Sequence, residues 1–208
     1  AVFHTAAVWA WNSDLKTGNF VLPGRTAPPK ALIDVLYCRQ DKPGPLCQFS
    51  YAVDTYSDKS LYTVQKAFED HILSQPEFNK GRKPRRRWQE GGGSFDATYI
   101  FTAPVFARRA PQRRVERRIK YEIPSPIRLA TENPKVPYCA NPDRPQIFEA
   151  VDGSLRDIAS CDPAELQYGD MVWISFFVEF IVGTNAWNTN FVPVEIVRVA
   201  TVSPDLVG

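Results

Sequence analysis

Residues Gly169 to Gly183 read GDMVWISFFVEFIVG, and this stretch decides the fold class. Apolar side chains recur at every second position from Val172 to Val182, which is the period of a β-strand with one buried face. A second alternating stretch, Phe191 to Val199, follows after a turn rich in asparagine. Two such stretches joined by a turn predict a long antiparallel hairpin near the C-terminus.

Shorter stretches upstream predict further strands and a single helix. Strands are expected at 1–12, 31–39, 47–53, 95–106 and 147–151. Apolar residues at helical spacing predict a helix at about 61–73, ended by Pro76, with a solvent side that carries Lys66, Glu69 and Asp70. The pattern favours a mainly β fold, and several strands with one helix and long basic loops would suit an OB-fold-like β-barrel.

The 208 residues fit one domain of ordinary size. Within it, the segment at about 79–94 lacks apolar periodicity and contains three consecutive glycines, so it is expected to be a mobile basic loop. A connection at about 124–145 holds six prolines.

The last quarter of the chain resembles a known family. The stretch Asp162 to Asp170 leads into a strand of the form Val-x-Ile-Ser-Phe-x-Val, and a Val-Asp-Gly turn at 151–153 precedes it. In this respect the chain resembles phage-type single-stranded DNA-binding and annealing proteins with an OB-fold, over residues 151–199. The resemblance implies DNA rather than RNA as the partner, and a role in recombination.

Positive charge is concentrated in the middle of the chain. Residues Lys80 to Lys120 hold 13 Lys and Arg against three acids, a local charge of +10, while the whole chain carries only +2. Most of these cations are arginines, whose planar guanidinium pairs with phosphate and stacks on bases. A polyanion is therefore the first partner to consider, and nucleic acid is the candidate.

Two basic segments and the strand between them supply the predicted binding residues. The first segment offers Lys83, Arg85, Arg86 and Arg87, with Trp88 as a surface for base stacking. The second offers Arg108, Arg109, Arg113, Arg114, Arg117, Arg118 and Lys120. Tyr99 and Phe101, on the strand between the segments, are predicted to stack bases on the floor of one groove with two cationic walls. Trp187, in a polar turn, is expected to be exposed.

These features predict a non-enzymatic protein that binds single-stranded nucleic acid, DNA first and RNA second. Three alternatives stay open: a jelly-roll-like coat protein with an Arg-lined assembly surface, a secreted lectin or effector with disulfides, and a nuclear import signal in the first basic segment. A homo-oligomer is compatible with the sequence. An intracellular protein is favoured, and a nuclear one if the source is eukaryotic.

The sequence contains no motif for metal binding, for nucleophilic catalysis or for a phosphate loop. The four cysteines contain no Cys-x-x-Cys pair, so no metal site is predicted; they are expected to be thiols, or to include a disulfide such as Cys38 to Cys47. His4 and His71 have no nucleophile nearby in sequence, and no phosphate-loop motif follows the three glycines. No cofactor and no membrane span are predicted.

Overall fold

A computed structural model describes residues 1–32, 39–86, 97–109 and 118–201 of the chain. Nine strands and two α-helices lie in these ranges. They are β1 (Phe3–Asn12), β2 (Gln48–Asp54), α1 (Ser60–Leu73), β3 (Thr98–Pro104), β4 (Phe106–Arg108), α2 (Ser125–Thr131), β5 (Tyr138–Ala140), β6 (Gln146–Val151), β7 (Ser154–Asp157), β8 (Met171–Val182) and β9 (Trp187–Ala200). Short 3₁₀ turns occupy Pro29–Leu32 and Ile158–Ser160.

Seven of the strands form one sheet in the order β3-β2-β1-β8-β9-β6-β7. The C-terminal hairpin predicted from the sequence is β8 with β9, paired antiparallel from Met171↔Ala200 to Val182↔Trp187. The mainly β fold with a helix near 61–73 is thus confirmed, and the sheet is consistent with an OB-like arrangement. In the described residues the sheet is not closed, because β3 and β7 are its two ends. All four residues of β7 are exposed, and its charged side chains protect this edge from further pairing.

The chain divides into two compact units. Unit one comprises Ala1–Trp11, Ala52–Phe101 and Gln146–Gly208, and unit two comprises Asn12–Tyr51 and Thr102–Pro145. The core of unit one is aromatic: the rings of Phe176 and Phe191 stack with centroids 4.8 Å apart, and the Phe101 ring lies 5.4 Å from that of Phe176. In unit two, Phe20 and Phe106 pack edge to face at 5.0 Å.

Helix α1 buries a different face from the one predicted. Leu61, Gln65 and Glu69 are its buried residues, whereas Val64 is 41% exposed. The prediction that Glu69 lies on the solvent side is therefore wrong. A charged residue occupies this buried position because, as shown below, it meets a cation from another segment.

One part of the chain differs from the prediction, and another part lies outside the described residues. The proline-rich stretch at 124–145 contains helix α2 and strand β5. Helix α2 tolerates its proline because the first turn of a helix needs no backbone N–H donor there. The strand expected at 31–39 and Cys38 fall almost wholly outside the described residues.

Gly18 and Cys47 show how tightly unit two is packed. Gly18 has φ +60°, and a Cβ there would collide with the backbone carbonyl of Gln48. Cys47 is buried as a thiol whose Sγ donates to the carbonyl of Lys42 at 3.1 Å. Burial raises the pKa of this thiol to about 11, so it stays protonated at neutral pH. Within the described ranges, neither helix is long and apolar enough to cross a membrane.

Candidate nucleic-acid interface

The first basic segment is held by backbone hydrogen bonds to the start of β9. Trp187 N donates to Pro84 O at 3.0 Å, and Arg86 N donates to Trp187 O at 2.7 Å. The Trp187 indole is only 2% exposed, because the Phe78 ring packs edge-on against it at 5.2 Å. The prediction of an exposed Trp187 is therefore wrong: its ring packs against Phe78, and its backbone bonds the segment that carries the cations.

Arg85 connects the same segment to helix α1. Its Nε lies 2.5 Å from Glu69 Oε2, and both side chains are largely removed from solvent. Two hydrogen bonds lead inward from this ion pair: Gln65 Nε2 donates to Glu69 Oε1 at 2.9 Å, and Tyr99 Oη donates to Gln65 Oε1 at 2.8 Å. Arg85 was predicted to hold phosphate, but this geometry makes it an anchor of the segment.

The remaining cations of the first segment differ in the contacts that they make within the protein. Lys83 Nζ donates to Gly183 O at 2.5 Å, and the Asn79 side chain bonds both the N–H and the carbonyl of Lys83. Lys80 pairs with Glu77 at the surface. Arg82 and Arg86 are exposed. These two arginines are therefore the described side chains of this segment most accessible to a phosphate.

The second basic segment begins with two arginines in opposite roles. Arg108 is exposed at the end of β4. Arg109 is half-buried: its Nη2 donates to Thr131 O at 2.5 Å and its Nε to Val136 O at 3.0 Å. Thr131 ends helix α2, where a cation also offsets the partial negative charge of the helix C-terminus. Arg109, like Arg85, anchors its segment.

The far end of the second segment is anchored at Asn141, directly after the short strand β5. The Tyr121 hydroxyl donates to Asn141 O at 2.7 Å, and the Arg144 guanidinium lies over the Tyr121 ring, 5.2 Å from its centroid. Burial raises the pKa of Tyr121, and the charge of Arg144 offsets part of that rise. The start of the segment is bonded at Pro137 and the end at Asn141, on either side of β5. Four residues of extended chain span about 13 Å, so the two carbonyls that accept from Arg109 and Tyr121 lie within that distance of each other.

Arg118 and Lys120 are exposed just before this second anchor. Five other predicted binding residues, Arg87, Trp88, Arg113, Arg114 and Arg117, lie outside the described residues. The first segment belongs to unit one and the second to unit two. A single groove with two cationic walls therefore stays a prediction.

The predicted stacking residues Tyr99 and Phe101 lie in the core. They are 1% and 0% exposed. The Tyr99 ring packs 5.5 Å from Phe191, and Phe101 contacts Phe176 as described above. A base cannot reach either ring face, so their assignment as a stacking floor is corrected. Alternation along β3 marks two faces, but both are covered, and residues 99–103 are all buried.

Sequence reasoning passed over the aromatic residues that are in fact exposed. Tyr56, Tyr168 and Trp173 are 79%, 54% and 44% exposed. Tyr56 lies in the polar stretch Asp54 to Asp58, a context that could have indicated exposure. Tyr168 precedes β8, and Trp173 lies on the face of that strand whose side chains are mixed, where the alternation does not decide exposure.

One histidine has a serine partner that the sequence did not reveal. His4 Nδ1 lies 3.0 Å from Ser175 Oγ, and the His4 ring stacks on Trp173 with centroids 5.6 Å apart. Antiparallel pairing of β1 with β8 brings these residues together. Across the described ranges, no group of three or more His, Cys, Asp and Glu side chains is arranged to hold a metal ion.

Comparisons with known proteins give weak structural likeness and no sequence match. No model of a known family matches the chain, and no curated protein does. Among solved structures, the single-stranded DNA-binding protein of bacteriophage Enc34 is similar with a TM-score of 0.43 and 8% identity, over 97% of this chain and 83% of that one. Its C-terminally truncated form has a TM-score of 0.44 and 9% identity, covering 97% and 88%. The single-stranded DNA-binding protein gp2.5 of bacteriophage T7 has a TM-score of 0.45 and 6% identity, covering 97% and 93%.

Proposed function

We propose that this protein binds single-stranded nucleic acid without catalysing a reaction, and that single-stranded DNA is its partner. The observation that carries the proposal is the division of the cations in the two basic segments between internal anchors and exposed side chains. In each segment one arginine is bound internally as an anchor, while neighbouring cations are exposed: Arg82, Arg86, Arg108, Arg118 and Lys120.

This division suits phosphate binding. An anchored backbone limits the conformational entropy that is lost when a ligand is bound. Exposed guanidinium groups then pair with phosphate oxygens, in contacts that depend on charge and not on base sequence. A solvated surface that binds nothing would need no internal anchors, and the local charge of +10 over residues 80–120 would only cost repulsion.

The test is fluorescence anisotropy with a labelled oligo-dT, repeated with duplex DNA and with RNA over a range of salt concentrations. Neutralising about five phosphates gives a slope of log K against log salt of roughly −3.5 for a single strand. Binding that is absent at low salt, or that does not change with salt, contradicts the proposal. Tighter binding to duplex or to RNA would contradict the choice of partner.

A charge-matched pair of variants identifies the site. The triple substitution Arg86→Ala, Arg108→Ala, Arg118→Ala removes three exposed cations from the basic segments. The control Lys16→Ala, Lys66→Ala, Lys135→Ala removes three exposed cations from elsewhere, so both proteins have the same net charge. Only the first should weaken binding and flatten the salt dependence.

Light scattering separates the proposal from the coat-protein alternative. A large closed particle would support a coat, whereas a monomer or small oligomer is expected here. A homo-oligomer is compatible with the proposal, because proteins that coat single strands often bind cooperatively.

A further inference from the structure

A groove of about 810 Å³ crosses unit one at strand β1. It is lined by Thr5 to Val8 of β1, by Met171 at the start of β8 and by Tyr168, which precedes β8. Residues Asp54 to Asp58 and the first turn of α1 line it as well. The volume lies within the range of known ligand-binding clefts. We call this feature the β1 groove.

The β1 groove exposes aromatic and sulfur-containing side chains. Tyr56 and Tyr168 are more than half exposed, as given above, and Met171 is 42% exposed. An exposed patch of large apolar side chains costs free energy in water unless something covers it. Such a patch, set in a concave surface, indicates a binding site for a flat or apolar group.

Trp173 lies next to the groove residue Met171 on the β1–β8 ladder, although it does not itself line the groove. Val8 pairs with Met171, and Ala6 pairs with Trp173. Met171 and Trp173 are therefore neighbours on the face of the sheet that Val8 and Ala6 share. The stacked His4 ring and its contact with Ser175 Oγ hold the indole from one side. The groove and Trp173 together present three aromatic rings to solvent.

The charges that line the β1 groove disfavour phosphate. No Lys or Arg is among the described residues that line it, whereas two carboxylates are. Asp54 accepts a hydrogen bond from Tyr56 N at 2.7 Å and Asp58 accepts one from Ser60 N at 2.8 Å, so both are held in place beside the groove. The groove therefore suits the uncharged bases of a nucleic acid, and the phosphates require the cations of another surface.

The first basic segment supplies such a surface at a suitable distance. Glu69, which binds Arg85, and Ser60, which lines the groove, are nine residues apart on α1. At 1.5 Å per residue they are about 13 Å apart along the axis. At roughly 3.4 Å per nucleotide in a stacked strand, about four nucleotides bridge that distance.

From this arrangement we infer that the β1 groove binds unpaired bases, which stack on Tyr56, Tyr168 and Trp173 while phosphates of the same strand contact the first basic segment. The inference rests on the proposed function and adds to it the base-binding surface. It also replaces Tyr99 and Phe101, whose burial removes them from this role.

The test compares an oligo-dT with an abasic oligonucleotide of the same length, which keeps the phosphates and lacks the bases. Tyr56→Ala combined with Tyr168→Ala should weaken oligo-dT binding by roughly fivefold or more, the lower end of what one stacked base contributes. The same variant should leave the salt slope and the affinity for the abasic strand unchanged. Leu155→Ala, at a residue 54% exposed on β7, is the control and should have no effect on either ligand.

Tryptophan fluorescence gives a second, independent measurement. Trp9 and Trp187 are buried and Trp11 is half-buried, so Trp173, 44% exposed, is the described indole most open to quenching by a stacking base. Trp173→Phe should remove much of the quenching on oligo-dT binding and preserve affinity, because a phenyl ring still stacks. Trp88→Phe tests the competing reporter in the first basic segment.

Failure of this inference is distinguishable from failure of the proposed function. If wild-type protein binds oligo-dT and the tyrosine variants bind equally well, the groove is not the base site and the proposed function stands. If wild-type protein binds no single strand at low salt, both fail. An arginine-rich peptide that quenches Trp173 in competition with oligo-dT would show that the acidic groove takes a cationic segment, and that too would overturn the inference. Circular dichroism and thermal melting confirm that each variant is folded.

Discussion

Arg85 Nε lies 2.5 Å from Glu69 Oε2, and this contact joins the first basic segment to helix α1. The carboxylate is nearly buried, with a side chain only 7% exposed, so its charge requires a partner. The segment is thereby held at one arginine while Arg86, the next residue, is exposed. The two adjacent arginines thus have different roles: Arg85 anchors the segment, and Arg86 is accessible to a ligand.

Arg85→Ala should destabilise the fold by roughly 1 to 3 kcal/mol, because the buried Glu69 carboxylate loses its cation. Urea unfolding measures the change. Glu69→Gln on the Arg85→Ala background should recover part of the loss, since no buried charge then remains. If the double variant is as unstable as the sum of the single variants, the two side chains are not coupled.

Arg85 and Arg86 should also differ in their effect on binding. Arg86→Ala removes a phosphate contact and should reduce the steepness of log K against log salt by about 0.7. Arg85→Ala, compared at matched folded fraction, should leave that slope unchanged. Equal slopes for both variants would mean that Arg85 reaches phosphate despite its contact with Glu69.

The pair Arg108 and Arg109 repeats the comparison in unit two. Arg109→Ala removes the donors to the carbonyls of Thr131 and Val136 and should cost roughly 1 to 3 kcal/mol of stability. Arg108→Ala, at an exposed position, should change stability by less than about 0.5 kcal/mol and weaken DNA binding. Thermal unfolding and fluorescence anisotropy of the two variants measure both effects. A loss of stability in Arg108→Ala together with a loss of binding in Arg109→Ala would contradict the roles given to the two arginines.

Tyr99 and Phe101 should affect stability and not binding. Phe101→Ala removes a fully buried ring and should cost about 3 to 5 kcal/mol. Tyr99→Phe removes only the hydrogen bond to Gln65 and should cost about 1 kcal/mol, while its affinity for oligo-dT equals that of wild type. A loss of affinity in the well-folded Tyr99→Phe variant would restore the original assignment of this residue.

A buried arginine in unit one makes stability depend on pH. Arg198 is 0% exposed; its Nε donates to Glu149 Oε1 at 2.9 Å, and its Nη1 lies 3.6 Å from Asp170 Oδ2. The hydrogen bond from Arg198, with a further one from Cys161, holds the pKa of Glu149 below its usual value. Stability from this carboxylate is therefore present above the ordinary glutamate pKa, and it is lost as pH falls through the lowered value.

Glu149→Gln should accordingly destabilise the protein near neutral pH, and the difference from wild type should shrink in acid. Urea unfolding at about pH 7 and about pH 3 measures both differences, on either side of the ordinary carboxyl range. Arg198→Ala should cost about 3 to 5 kcal/mol, because Asp170 is then left as a buried charge. A Glu149→Gln effect that is the same at both pH values would contradict the linkage.

The sequence by itself determined the elements with strong local periodicity. Alternation from Val172 to Val182 and from Phe191 to Val199 predicted the β8–β9 hairpin, and apolar spacing predicted α1 to within a residue. The position of the positive charge along the chain also follows from the sequence alone. In each of these cases the information lies within a few neighbouring residues.

Only the tertiary structure decided which side chains are available to a ligand. Alternation in β3 separates two faces but does not say that both are covered, so Tyr99 and Phe101 looked accessible. Arg85 and Arg109 are occupied by Glu69 and by the end of α2, and Tyr56 shares the β1 groove with Tyr168, more than 100 residues away. Exposure and partnership depend on residues distant in the chain, and local periodicity carries no information about them.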